Sequence, residues 1–331
     1  MPVAGTSLAR GGRLVELCRS RLDSVALRQR LRGELERVVP FDLYCVNTVD
    51  PRSLLITSSI GDGLSPEAAR RWFELEEAGR DYNRLTELAQ GRVSVATLAR
   101  VTRGDVRQSP RMRELFWPQG LRDELRAALC CDGACWGYLH LFRREPFRAE
   151  EVRSVELLLP LLARALRASQ LLGQDPVSSR PPAVLLLGER QATPDAHAGE
   201  WLHELEADVG EAMPHALIAC RARVRSGAAA SGVYRAPRGN FVLFNASRLG
   251  AGVALSLSVP SARELAPFWC LAHGLTPREL QICALLLDGH SNEAIATLLG
   301  IRLFTVKDHV KSILSKTRAP SRVALLAALC V

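Results

Sequence analysis

No stretch of this 331-residue chain approaches the uninterrupted apolar length needed to cross a bilayer. Met1 to Gly12 also lacks the apolar core of a signal peptide, so a cytoplasmic protein without membrane contact is the simplest expectation. There is no glycine-rich loop ending in Gly-Lys-Ser or Gly-Lys-Thr, which argues against an ATPase-coupled regulator of the large signal-transducing type. No Ser, His and Asp set has supporting local context, and no paired carboxylates sit in a glycine-rich loop. No catalytic residue is expected, and the chain does not read as an enzyme.

A disulfide framework is also missing. The nine cysteines are odd in number and scattered through apolar patterns, which points to reduced thiols. Cys130, Cys131 and Cys135, beside His140, come nearest to a metal or redox cluster. Their spacing is not Cys-x-x-Cys, and adjacent residues on a strand face opposite sides, so Cys130 and Cys131 cannot both reach one ion. Core packing is the simpler role, and neither a metal site nor a cofactor is expected.

What is present is an ordinary globular composition, 47% hydrophobic and 24% charged, in a chain long enough for two or three domains. The net charge of +8 suits a polyanionic partner. From Leu275 onward seven Lys or Arg face only four Asp or Glu, so most of the excess lies upstream.

The most informative stretch is Leu275 to Val331. Thr276, Pro277, Arg278 and Glu279 form a capping box with proline at the first helical position. Leu280, Ile282, Cys283, Leu285, Leu286 and Leu287 give that helix a broad apolar face, and Gly289 stops it. Ser291 caps a shorter helix that turns Ile295, Leu298 and Leu299 inward and ends at Gly300. From Leu303, the spacing of Val306, Val310, Ile313 and Leu314 predicts one buried stripe. Phe304, Asp308, Lys311, Ser312 and Ser315 lie roughly opposite, with Lys307 on the flank. Such a helix fits the major groove, where phosphate contacts position and base edges specify. A last helix from Ser321 carries Val323, Leu326 and Leu329 as an apolar stripe that needs a partner.

Leu275-Thr276-Pro277-Arg278-Glu279, Gly289 to Ala296, Thr305 to Val310 and Lys316 to Arg322 together resemble the LuxR-type, or GerE-type, four-helix DNA-binding domain. The resemblance implies that the third helix enters the major groove of double-stranded DNA, that the fourth helps form a homodimer, and that the protein regulates transcription. It carries base-facing roles onto Lys307, Asp308 and Lys311, and phosphate contacts onto Ser291, Asn292 and Thr305. Phe304, Arg302 and Ser312 complete the candidate DNA-binding set, and RNA polymerase is a further candidate partner. Two positions depart from the pattern. Arg302 stands where Ser or Thr usually caps the recognition helix, a cost of about 1 kcal/mol that a bound phosphate can offset. Thr317-Arg318 replaces a Leu-Gly turn.

Upstream, Arg13 to Val38 reads as one helix, Phe41 to Asn47 and Leu54 to Ser58 as paired strands, and Pro66 onward as a helix carrying Trp72 and Phe73. Leu125 to Cys131 and Cys135 to Phe142 form a hairpin around Asp132-Gly133, since both residues tolerate positive φ. Alternation sends Trp136, Tyr138, His140 and Phe142 one way. A leucine-rich helix, Glu150 to Leu172, is interrupted at Pro160. The order of elements, with Leu121 to Arg126 and Trp136-Gly137, is similar to GAF-type sensory domains, which hold small molecules, chromophores or metals or simply dimerise. An unidentified small-molecule signal follows as an expectation. Tyr44, Trp72, Tyr82, Trp117, Trp136 and Tyr138 serve either as core or as pocket wall. Past a Pro-, Ser- and Gly-rich stretch, a small α/β unit looks like a PAS-type domain.

The expected class is α+β multidomain. Residues 1–172 form an antiparallel-sheet GAF-like sensory domain, 173–182 a linker, 183–265 a PAS-like domain and 266–331 the all-α helix-turn-helix domain. Two other functions remain open: a protein-interaction regulator that does not touch DNA, and a thiol or redox-active GAF protein working through Cys130, Cys131 or Cys135.

Overall fold

Asp23 divides the leucine-rich N-terminus into two helices, α1 (Ala4–Arg19) and α2 (Ser24–Glu36), where the apolar spacing alone predicts one. Its carboxylate accepts from Val25 N and Ala26 N, each at 2.9 Å, so it caps α2 and ends any continuation from α1. The computed structural model describes residues 4–172, 180–188, 192–206, 214–236 and 239–329. Of the expected 173–182 linker, only 180–182 lie within them.

Strands β1 (Leu43–Val49) and β2 (Ile56–Gly61) pair antiparallel, and α3 (Pro66–Glu77) and α4 (Leu85–Gln90) lead to a short edge strand, β3 (Val95–Thr97). After α5 (Leu98–Val101), the hairpin β4 (Asp123–Cys131) and β5 (Ala134–Arg143) turns at Asp132 and Gly133, both with positive φ. The long helix α6 (Ala149–Ser169) follows. It runs through Pro160 without a break: Pro160 and Glu156, whose carbonyl loses its donor, are both exposed, so water can satisfy it.

The second unit repeats the plan. Strands β6 (Ala183–Leu187) and β7 (Ala192–Pro194) precede helices α7 (Ala198–Glu206) and α8 (His215–Arg225), and then come β8 (Ala230–Arg235), β9 (Phe241–Leu249) and β10 (Gly252–Ser258). The sheets run β2-β1-β5-β4-β3 and β7-β6-β10-β9-β8, the same order with the same crossover after the second strand. Helix α9 (Ala262–Ala272) leads to α10 (Pro277–Leu287), α11 (Asn292–Leu299), α12 (Leu303–Thr317) and α13 (Arg322–Leu329). The protein is thus a mixed α+β molecule with two antiparallel sheets and a helical C-terminal part.

One face of the first sheet packs under α1, α2 and α6, and the other faces α3 and the second unit. Strict alternation fails on β5. Ala128 pairs with Tyr138 but Cys130 with Cys135, so Trp136 and Gly137 stand against Leu129 alone, a β-bulge. Trp136 therefore points away from Tyr138 and Phe142, and packs edge-on to Phe268 of α9 at 5.6 Å. Glycine is required beside it, since a Cβ at Gly137 would lie 2.0 Å from Asn47 O.

Two helices join the parts. Helix α8 is buried almost all round, between the second sheet and α3 and β2 of the first unit. Arg223 donates from Nη1 to Ser53 O at 2.7 Å and from Nε to Glu77 at 3.1 Å. Helix α9 buries Leu265, Phe268 and Ala272 against the core of the first sheet and its helices, and Ala266, Trp269 and Cys270 against the C-terminal core. The boundary expected between residues 265 and 266 falls inside this helix.

Gly137→Ala is expected to destabilise the chain by about 3 kcal/mol, the cost of forcing a methyl into packed backbone. Urea denaturation checks it. A variant within 0.5 kcal/mol of the parent, roughly the size of a neutral surface change, contradicts the bulge geometry.

Candidate nucleic-acid interface and cavity

The C-terminal helices start and stop where the local chemistry says they should. Thr276 Oγ1 accepts from Glu279 N at 3.3 Å while Glu279 Oε2 accepts from Thr276 N at 2.6 Å, closing the capping box. Ser291 Oγ accepts from Ala294 N at 3.2 Å, and Gly300 ends α11 with φ 61°. Arg302 makes no side-chain cap for α12, and Arg318 adopts the left-handed conformation at its end, φ 55°. A non-glycine there carries strain of about 1 kcal/mol, the physical consequence of losing the Leu-Gly turn.

Helix α12 buries Val306 and Ile313 fully and Val310 and Leu314 in part, as the stripe predicts. Phe304, Lys307, Asp308 and Lys311 lie on one solvent-facing surface, with Phe304 74% exposed. Ser291 and Arg302 are exposed nearby, and Asn292 and Thr305 are half-buried. None of the described residues of the front half covers Phe304, Lys307, Asp308 or Lys311.

Ser312 is placed differently from the expected solvent-facing position. Its hydroxyl donates inward to Glu279 Oε1 at 2.6 Å, and Lys316 Nζ donates to Glu279 Oε2 at 2.7 Å. Glu279 thus caps α10 and at the same time fastens α12 to it. Burial alone would raise its pKa, but hydrogen bonds from Lys316, Ser312 and Thr276 prevail and bring it from 4.5 to about 2. Arg322 adds a second cross-link by donating to His290 O at 2.7 Å, between α10 and α11. The capping box is visible in the sequence, but partners 33 and 37 residues away are not.

A second feature lies in the front half. A cavity of about 430 Å³ opens between the first sheet, α2, α3 and the start of α8. Trp72, Phe73, Phe116 and Phe142 supply its rings, and Cys45, Asn47, Ser59 and His140 form a polar strip on the sheet. His140 is held neutral because burial lowers its pKa. Its Nε2 lies 2.9 Å from Asn47 Oδ1, and Asn47 Nδ2 donates to Ser59 Oγ at 2.5 Å. His140 Nδ1 lies 3.4 Å from Glu124 Oε1, so a chain of polar contacts runs from Glu124 through His140 and Asn47 to Ser59. At the rim Arg32 Nε donates to Asp62 at 3.0 Å and Nη1 to Glu36 at 3.2 Å.

Behind the strip is a buried ion network that no local pattern announces. Glu124 bridges Arg111 and Arg126 at 2.7 Å each, Arg126 also meets Glu76 at 2.7 Å, and Arg111 meets Asp81 at 2.9 Å. Burial opposes the Glu124 charge, yet the two guanidiniums hold its carboxyl well below the ordinary range. The network anchors β4 to α3 and to the segment before it. Of the aromatics named as pocket candidates, Trp72 lines the cavity, while Tyr44 borders it with its ring in the opposite core and its hydroxyl on Arg28 O. Tyr82 bonds Gln108, Trp117 stacks with Arg122, and Trp136 and Tyr138 are core.

The thiols separate as strand geometry requires. Cys130 joins the cavity-side core and Cys131 the opposite one, while Cys135 sits across the hairpin from Cys130. Among the described residues no group of three His, Cys, Asp or Glu could hold a metal ion. No described helix is long and apolar enough to cross a membrane.

An exposed, partly basic third helix packed on two capped helices is the arrangement of a helix-turn-helix DNA-binding domain. Residues 273–328 match the family "Bacterial regulatory proteins, luxR family", so this domain belongs to that family. The chain is 46% identical over 70 residues to an Aeromonas salmonicida protein described as an HTH-type transcriptional regulator in the exeN 3′ region. That match covers 21% of this chain and 36% of the relative, so the chain spans about a third of the relative's length. Among solved structures, the VqsR LBD domain of Pseudomonas aeruginosa is 19% identical, covering 50% of this chain and 96% of that one, with a TM-score of 0.36. SdiA of Escherichia coli is 14% identical, covering 98% and 97%, with a TM-score of 0.34.

Glu279→Gln is expected to cost about 2 kcal/mol at neutral pH, the size of a lost hydrogen-bonded charge. Because the folded pKa is depressed, the parent keeps this stability above pH 4.5 and loses it as pH falls toward 2. Thermal unfolding of both proteins against pH measures it; equal stability at pH 7 contradicts the keystone role.

Proposed function

We propose that this chain is a DNA-binding transcriptional regulator of the LuxR type that reads a specific sequence through α12 and answers to a small molecule held in its front half. The observation that carries the reading is the uncovered surface of Phe304, Lys307, Asp308 and Lys311, within a domain of that family. Lys307 and Lys311 supply the cations for phosphates and guanine edges, and Asp308 can accept from the amino group of cytosine. Ser291, Asn292, Thr305 and Arg302 surround the entry of α12 and suit phosphate contacts. The Ser312 hydroxyl is already engaged by Glu279, which suits a role in holding the helix.

In this reading residues 1–172 are a GAF-like sensor, 173–182 a linker, 183–265 a PAS-like relay and 266–331 the reader. The common strand order of the two sheets supports the relation between the first and third of these. Val323 is 76% exposed on α13, which supports pairing of two copies through that helix on a two-part site in the cytoplasm. RNA polymerase is the partner through which a bound regulator of this kind would act.

The test is binding of genomic DNA fragments to the full chain across a salt series. Tight binding with a steep salt slope is expected, and Lys311→Ala should weaken it and flatten the slope by about one unit. An unchanged slope sinks the assignment of that face. Absence of any salt-dependent DNA binding turns the reading toward a protein-interaction regulator.

A further inference from the structure

Phe304 is 74% exposed, and among the described side chains it is the only aromatic one open to solvent. It lies outside the apolar cluster that holds Val306, Val310, Ile313 and Leu314. With 3.6 residues per turn, Phe304, Lys307, Asp308 and Lys311 fall within an arc of about 100°, with Phe304 inside it and not at its edge. The face of α12 that offers three charged groups therefore offers a phenyl ring in their midst, one turn nearer the entry of the helix.

Duplex DNA offers this ring few partners. A phosphate keeps its water more favourably than it meets a phenyl face, so the ring gains nothing on the backbone. Base faces are stacked against one another, and prising a step apart is done by apolar wedges from the minor groove. That leaves the base edges of the major groove. Guanine, cytosine and adenine are read there through hydrogen-bonding groups, and thymine adds an apolar one, its C5-methyl. A protein partner suits the position less, because Lys307, Asp308 and Lys311 surround the ring with charges that the centres of protein interfaces lack.

We propose that Phe304 is a specificity-determining residue that selects thymine, packing its ring on the C5-methyl at the floor of the major groove. This rests on the reading of α12 as the DNA-contacting helix and adds the base chosen at one position. The selection has two parts. Thymine buries its methyl against the ring. Cytosine at the same place sets its amino group against a surface that accepts no hydrogen bond, and loses the water it had. Lys307, Asp308 and Lys311 serve the phosphates and polar base edges, which the ring cannot.

The experiment starts from a random-sequence duplex pool enriched for binding to the full chain. One enriched duplex is prepared with thymine and again with uracil, which lacks only the C5-methyl, and both are titrated at constant salt against the parent and Phe304→Ala. The parent should bind the uracil form weaker by about fourfold or more, the transfer energy of one buried methyl. Phe304→Ala, at an exposed position outside the C-terminal core, should lose about the same factor on the thymine form and no longer distinguish the two forms. Its salt slope should match the parent's, because the ring releases no counterions. Equal binding of both forms by the parent, or a variant that discriminates as strongly as the parent, overturns the proposal. A variant with a flatter slope overturns it too, since the ring then acts by holding the lysines on the phosphates. If the pool shows no enrichment, the reading of the chain as a sequence-specific DNA-binding protein fails, and the role of Phe304 falls with it.

Discussion

Helix α9 is buried on two sides at once, and the rest of the molecule depends on that constraint. Leu265, Phe268 and Ala272 belong to the core of the two-sheet part, and Ala266, Trp269 and Cys270 to the core of the C-terminal helical domain. A helix with one apolar stripe can roll or swing, but a helix with two must keep its angle to both partners or expose a core. The contacts at its ends reinforce this. Trp136 and Phe241 clamp Phe268 edge-on at 5.6 and 5.5 Å, and Cys270 Sγ lies 3.3 Å from Cys283 Sγ of α10. The C-terminal helical domain is therefore packed onto the two-sheet part, and no free tether separates them at this point.

The same logic connects the cavity to that joint. Helix α3 carries Trp72 and Phe73 on the cavity wall and packs on α8, whose Arg223 is tied to Ser53, Leu54 and Glu77. Helix α8 in turn supports β8, β9 and β10 from beneath, and β8 contacts α9. Asp50 closes the circuit by accepting from Val233 N at 2.9 Å, and Arg235 donates to Gln170 O at 2.8 Å. A change in the position of α3 has a continuous packed route to α9, because neighbouring side chains in a dense interior cannot move independently. The buried network of Glu124, Arg111, Arg126 and Glu76 fixes the floor against which such movement is measured.

The parts legible in the sequence are those whose partners lie within about four residues. The box of Thr276 and Glu279, the cap at Ser291, the stop at Gly300 and the turn at Asp132-Gly133 were readable because each is satisfied locally. The solvent face of α12 was readable for the same reason, except at Ser312, whose partner lies 33 residues away. Alternation misassigned Trp136 because the bulge at Gly137 answers to the carbonyl of Asn47, far earlier in the chain. Helix α8 gave no clear period, since a segment buried nearly all round shows neither the strand nor the helix pattern. The cavity was not visible as a unit, because its walls come from segments spread between Gln29 and His215.

A basic protein whose excess charge lies mostly ahead of Leu275 is proposed nevertheless to read DNA through α12. Hydrogen exchange of the full chain, with and without a bound genomic DNA fragment, tests this most directly. Protection is expected to concentrate in residues 291–311, spanning the start of α11 and the exposed face of α12, with weaker changes reaching α9. Protection confined to the front half, with α12 exchanging as in the free protein, would contradict it.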